Sequence, residues 1–170
     1  MKIRQEKPSD YDEVYELLKL SFATTTSDNE WDYLNEVREK ETFIPELSLV
    51  TEDDNGKIIG QIVLYEMKIN TQNKEITELL LSPISVHPDY FRRGIARAMT
   101  EESFRLAKKM GYTAVFLCGE PEIYRKLGFK PSFEYNIFHV DDDTKNAEWC
   151  MVYELVEGAL KGVSGTVDIV

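Results

Sequence analysis

The sequence predicts an α+β fold of three layers, with a mixed central sheet of about seven strands flanked by about four helices. Three observations predict it. Apolar residues recur at helical spacing in some segments, as in Tyr11, Val14, Leu17, Leu18 and Phe22. Elsewhere they run as strands, most clearly from Ile76 to Val86. Turn residues separate the two kinds of segment and give the order β-α-α-β-β-β-α-β-α-β-β. No linker and no internal repeat divides the 170 residues, so residues 1–170 read as one domain large enough for a real core.

The elements follow in order. Met1 to Gln5 alternates as a first strand. Pro8-Ser9-Asp10 is a helix-start signature, with Ser9 or Asp10 as the cap. The first helix ends in the polar stretch Ala23 to Asn29, and Trp31, Leu34 and Val37 mark a second helix to about Lys40. Leu47 to Thr51 is a strand, Asp53-Asp54-Asn55-Gly56 a hairpin turn, and Lys57 to Ile69 a long returning strand. After a turn at Asn70 to Lys74, the fourth strand runs from Glu75 to Val86. Pro83 cannot donate a ladder hydrogen bond, so pairing should lapse or bulge there.

Tyr90 to Met110 is helical after its first turn, with Ile95, Met99, Leu106 and Met110 as the buried stripe and Gly111 as the C-terminal cap. Tyr112 to Cys118 is a short apolar strand. Gly119-Glu120-Pro121 opens a short helix that carries Tyr124 and ends at Gly128-Phe129. Phe133 to Val140 and Glu148 to Val156 are the last clear strands, with a further strand open at Thr166 to Val170. Asp141-Asp142-Asp143 reads as a solvated turn, because a calcium loop needs further ligands and a glycine at its sharp bend.

Composition narrows the function. A hydrophobic content of 42% and an aromatic content of 11% fit a globular chain. No apolar run is long enough to span a bilayer, and Met1 to Glu6 lacks the apolar core of a signal peptide, so a cytoplasmic protein is expected. The net charge of −11 argues against nucleic acid as a partner. The two cysteines, Cys118 and Cys150, read as a reduced pair, with a disulfide as the alternative. No His/Cys spacing suggests a metal site.

Against this acidic background, Arg92-Arg93-Gly94-Ile95-Ala96-Arg97 stands out. It follows a strand and opens a helix. Helix N-termini present N–H groups without intrahelical acceptors and a partial positive charge, so this turn is an anion-binding device. No Gly-x-x-x-x-Gly-Lys-Ser/Thr run exists, which removes a P-loop.

The element order and this arginine/glycine turn resemble the GNAT superfamily of acyl-CoA-dependent N-acetyltransferases. Gly94 and Ala96 match the last two fixed positions of its signature, and Phe91 replaces the usual Gln or Arg at the first. Tyr124-Arg125-Lys126-Leu127-Gly128-Phe129 resembles a second motif, a tyrosine ahead of a Gly-Phe pair. The stretch Gly158 to Val167 looks like the tail of a bacterial, YhbS-like branch. The resemblance covers essentially the whole chain and is specific for fold and cofactor, not for the acceptor.

The resemblance implies acetyl-CoA as cofactor and a primary amine of a small molecule or peptide as acceptor. Phe91, Arg92, Arg93, Gly94, Ile95, Ala96 and Arg97 would hold the pyrophosphate, with Arg97 ranked below Arg92 and Arg93. Ile84, Ser85 and Val86 would offer backbone groups to the pantetheine arm. Tyr124 would be the acid that protonates the leaving thiolate, since a phenol has a pKa of about 10. Glu78, on an apolar strand, is a candidate base, with a water relay as the alternative. His87 also has the chemistry of a base, but a place by the phosphates suits it better. Cys118 has no base beside it in sequence, so an acyl-cysteine is not expected.

Acceptor specificity would come from Thr24 to Glu30 and from the segment near Phe133 to Phe138, and the acidic balance favours a cationic amine. Two other readings stay open: a non-catalytic acyl-CoA sensor, and a transferase for another acyl group. The oligomeric state is open as well, a homodimer included.

Overall fold

The computed structural model describes residues 1–23 and 30–170, the side chain of Glu30 excepted. The helices are α1 (Tyr11–Ser21), α2 (Glu30–Arg38), α3 (Ile95–Lys109) and α4 (Pro121–Tyr124). The strands are β1 (Lys2–Gln5), β2 (Phe43–Glu52), β3 (Ile58–Thr71), β4 (Glu75–Val86), β5 (Ala114–Cys118), β6 (Lys130–Pro131), β7 (Ile137–His139), β8 (Cys150–Glu154) and β9 (Gly165–Val167). The chain divides into two compact units, and β3 and β4 contribute to both.

The first unit comprises Met1–Tyr65 and Ser82–Leu106. Here β1, β2 and β3 pair antiparallel, with Lys2 opposite Glu52 and Val50 opposite Gln61. The His87 N–H continues β4 onto β3 by donating to the Ile59 carbonyl at 2.7 Å. Val14, Leu18, Leu34 and Val37 are buried, as their helical spacing predicts. Tyr15 meets Trp31 edge-on at 6.4 Å, joining α1 to α2.

Two arginines tie these elements together through ion pairs. Arg4 donates to both oxygens of Asp10 and to Glu52. Asp10 precedes α1, but its carboxylate caps no N–H of that helix. It turns back to accept from the Lys7 N–H at 2.7 Å and closes a 3-10 turn over Pro8–Asp10. The Arg4 guanidinium holds the Asp10 carboxyl below the usual range. Deeper in, Arg38 forks onto Glu6 at 2.6 and 3.1 Å and stacks on Tyr11. Ser48 donates to the same carboxylate.

The second unit comprises Glu66–Leu81 and Ala107–Val170. Its core is β5, flanked by β4 in parallel and by β8 antiparallel. β6 extends β8, and β9 joins β3 antiparallel and β7 in parallel. Val115, Phe116, Leu117, Phe129, Met151 and Val152 are buried. The sheet is therefore mixed, as expected.

Beyond the strands expected lies β6, a fragment of two residues too short to give an alternating pattern, while β9 falls at the segment left open at Thr166 to Val170. The strand expected over Phe133 to Val140 is only partly one. Ser132–Tyr135 forms a 3-10 turn that ends at Asn136, whose φ is +61°, and β7 follows. Met110 is also corrected: it lies past the end of α3 and is 46% exposed, and Leu106 is half-buried. The buried stripe instead runs Ile95, Met99, Ser103, Ala107. Ser103 escapes a hydrophobicity reading because its hydroxyl is satisfied by the Thr100 carbonyl. Gly111 caps α3 as expected, with its N–H on the Lys108 carbonyl.

Glu78 fixes the junction of β4 and β5. Its buried carboxylate accepts from the Thr113 N–H at 2.9 Å, the Ala114 N–H at 3.0 Å and the Thr113 hydroxyl. These donors lie at the start of β5, where a parallel strand otherwise leaves N–H groups without partners.

Two stability predictions follow from these contacts. Glu78→Ala should cost about 1–3 kcal/mol for each N–H it strands, and Glu78→Gln, which keeps an acceptor, should cost less. Arg38→Ala leaves Glu6 buried and unpaired and should cost about 3–5 kcal/mol. Urea unfolding midpoints check both; wild-type midpoints would show that neither contact bears on the fold.

Candidate functional site

In the first unit the site is a turn built on a hairpin. Gly56, at φ +81°, closes the hairpin between β2 and β3, and Asp53 accepts N–H bonds from Asn55 and Lys57. The Lys57 N–H, first among these bonds, holds the Asp53 carboxyl below its ordinary range. Tyr90 donates its hydroxyl to the other Asp53 oxygen at 3.1 Å. His87 caps the 3-10 turn Pro88–Tyr90 by accepting the Asp89 N–H on Nδ1, and its ring meets Tyr90 edge-on. The two imidazole contacts make His87 a scaffold for the turn.

From this platform the chain makes an unusual bend. Phe91 is extended and 54% exposed. Arg92 takes φ +61° and Gly94 φ +79°. A left-handed arginine costs on the order of 1–2 kcal/mol, a strain that tends to collect at functional sites. Only glycine takes such a φ cheaply, and Gly94 faces open space on its side-chain side. The Gly94 carbonyl accepts the Ala98 N–H at 3.0 Å, so α3 starts at Ile95. The helix-start N–H groups without intrahelical acceptors are therefore those of Ile95, Ala96 and Arg97, and Phe91 lies before the helix. Arg92, Arg93 and Arg97 are exposed beside it, and the Arg93 guanidinium lies 5.2 Å over the Tyr90 ring. A groove of about 300 Å³ opens here, lined by Asp53, Asn55, Ile59, Tyr90, Arg93 and Ile95.

The end of β4 leads into this turn. The peptide between Ser82 and Pro83 is cis. Ile84 and Val86 are half-buried, and Ser85 is buried with its hydroxyl oxygen unpartnered. The Val86 carbonyl already accepts the Ser21 hydroxyl at 2.7 Å, so that group is taken.

In the second unit, β4 pairs with β5 only at Leu79–Val115 and Leu80–Phe116, so the pairing stops before Pro83. Glu78 belongs to this junction. Both its oxygens accept hydrogen bonds, from the Thr113 N–H and hydroxyl and from the Ala114 N–H.

Tyr124 ends α4 and is half-buried. Its ring meets Phe129 edge-on at 6.0 Å and lies against Gly119, where an added Cβ would come within 2.5 Å of the ring. Gly119 thus makes room for Tyr124, a role no periodicity shows. Cys118 precedes it, opposite Cys150 on β8.

The acceptor segment Thr24–Asn29 lies outside the described residues, as does the Glu30 side chain. The other, near Phe133 to Phe138, borders a groove of about 390 Å³ lined by Glu134, Tyr135, Asn136, Glu154 and Lys161. Burial, then Glu154 and Glu134, push the Tyr135 phenol up. Asp142 accepts N–H bonds from Asn146 and Ala147, which makes Asp141–Asp143 a turn. Among the described residues no helix is long and apolar enough to cross a membrane.

Comparison with known proteins places this geometry. No curated protein matches the chain. YhbS of Escherichia coli, a GNAT family N-acetyltransferase solved in complex with CoA, is similar at 28% identity and a TM-score of 0.84, over 99% of this chain and 89% of that one. A GNAT family acetyltransferase from Brucella melitensis, solved with acetyl-CoA, has the same fold at 23% identity and a TM-score of 0.77, over 99% and 95% of the two chains. The ribosomal-protein-S18-alanine N-acetyltransferase of Escherichia coli shares the fold at 18% identity and a TM-score of 0.61, over 91% and 93%. The family model for the acetyltransferase (GNAT) domain matches residues 2–132, and the chain belongs to that family.

Proposed function

We propose that the chain transfers an acetyl group from acetyl-CoA to a primary amine of a small molecule or peptide. The observation that carries this reading is the turn ahead of α3. A strained Arg92, an open Gly94, a helix start and three exposed arginines converge within a few residues.

The residues present fit the coenzyme. Helix-start N–H groups and the side chains of Arg92 and Arg93 suit a pyrophosphate, and Arg97 adds charge one turn into the helix. The buried, unpartnered hydroxyl of Ser85 supports a polar ligand along Ile84–Val86, because such groups ordinarily find partners. When bound, acetyl-CoA would supply the acetyl group already activated as a thioester. The Tyr124 hydroxyl can donate a proton, which makes it the acid of the proposal. Gly119 and Phe129 orient its ring. Glu78 is assigned no proton transfer. A water relay to the amine fits its committed oxygens better.

That same commitment favours a second reading, an acyl-CoA sensor without turnover. The acceptor is expected to be a cation, since the chain carries a net charge of −11.

Calorimetry with acetyl-CoA tests the turn. Arg93→Glu should raise the dissociation constant about tenfold or more, the loss expected for one charge-assisted bond. Wild-type affinity would remove the pyrophosphate assignment. Thiol release against a panel of amines tests the chemistry. Tyr124→Phe should lower kcat about a hundredfold or more with little change in coenzyme affinity. An unchanged kcat would return Tyr124 to a packing role, and binding with no release from any amine would favour the sensor.

A further inference from the structure

Cys118 and Cys150 stand directly opposite each other on β5 and β8. The hydrogen-bond pattern defines which kind of pair they form. Gly119 donates to the Trp149 carbonyl at 2.9 Å, and Leu155 donates to Thr113 at 2.8 Å. Bonded and non-bonded pairs alternate along an antiparallel ladder, so both contacts assign Cys118–Cys150 to a non-bonded pair. In such a pair the Cα atoms sit about 4.5 Å apart and the side chains share a face, within the range a disulfide spans. Both cysteines are thiols in the structure.

Access and activation are divided between them. Cys118 is half-buried and Cys150 is 1% exposed, so a small oxidant meets Cys118 first. Cys150 accepts a hydrogen bond from the Ser132 hydroxyl at 3.3 Å, while the Cys118 thiol donates to the Ile169 carbonyl at 3.8 Å. The adjoining Cys118 sulfur, then the Ser132 hydroxyl, lower the Cys150 thiol and favour its thiolate, the form that attacks sulfur.

We propose that Cys118 and Cys150 form a reversible dithiol–disulfide pair, oxidised by hydroperoxides and independent of acetyl transfer. The Cys118 sulfur attacks one peroxide oxygen, the O–O bond breaks, and the Cys118 proton leaves with the other oxygen as water. The Cys150 sulfur then attacks the resulting sulfenic acid at Cys118 and displaces its oxygen, which departs with the Cys150 proton as a second water. Two thiols lose two electrons and one hydrogen peroxide becomes two waters. The bond ties β8 to the residue before Gly119, on which the Tyr124 ring rests.

The test treats the full chain with hydrogen peroxide, then blocks remaining thiols with a maleimide under denaturing conditions. Intact mass and peptide mapping should show no maleimide adducts, a loss of two hydrogens and one peptide pair linked through Cys118 and Cys150. Dithiothreitol should restore both adducts. In Cys118→Ser, Cys150 should stay open to the maleimide after the same treatment. Two adducts on oxidised wild-type protein, bonds between separate chains, or oxygen addition without a link would each overturn the proposal. The readout uses neither coenzyme nor acceptor, so it stands apart from the transferase reading.

Discussion

Much of this structure depends on one short contact, the parallel pairing of β4 with β5. Two residue pairs make it, Leu79–Val115 and Leu80–Phe116. Parallel ladders are slightly weaker per residue than antiparallel ones, and two pairs alone would register poorly. The buried Glu78 carboxylate makes up the deficit by holding the N–H groups of Thr113 and Ala114 at the entry to β5. Charged acceptors make stronger hydrogen bonds than neutral ones, so a single side chain sets the register. The register in turn decides where β4 stops serving β5. Beyond Leu81 the strand passes Pro83 and continues as Ile84-Ser85-Val86, with its end held by Ser21 and, through His87, by Ile59.

The turn after β4 is positioned by a separate chain of contacts. Asn55-Gly56 folds the hairpin, the hairpin presents Asp53, and Asp53 holds the Tyr90 hydroxyl. Tyr90 lies in the 3-10 turn that His87 caps, and Arg93 stacks on its ring. A left-handed Arg92 is affordable because both flanks are fixed in this way. The conformation of this turn thus leans on contacts that start some forty residues upstream, at a dipeptide that reverses the chain.

These long-range dependencies explain which features were legible in the sequence. Asn55-Gly56, Pro83, Gly94 and Gly128 act through local backbone chemistry, so their turns and breaks could be read directly. The bounds of β4 and the apolar faces of α1 and α2 follow from periodicity and match the structure. Glu78 was legible as a buried mid-strand acid, but its partners lie on a strand thirty-five residues on, and no local pattern reports them. Ser103 and Gly119 matter for a satisfied hydroxyl and a missing Cβ, neither of which a hydrophobic pattern registers. Met110 was misplaced because the buried stripe was carried one residue past Lys109, where α3 ends.

Charge gives the site its contrast. The chain carries 31 acidic against 20 basic groups, so at long range it repels a polyanionic coenzyme. At physiological ionic strength that repulsion is screened beyond about 8 Å. Within that distance an anion at the turn meets Arg92, Arg93 and the start of α3. Asp53, which lines the same groove, is occupied by two N–H groups and the Tyr90 hydroxyl, so part of its charge is answered locally. The same imbalance draws cations to the rest of the surface. A molecule that is acidic overall and basic at one turn therefore presents opposite local fields to anions and to cations.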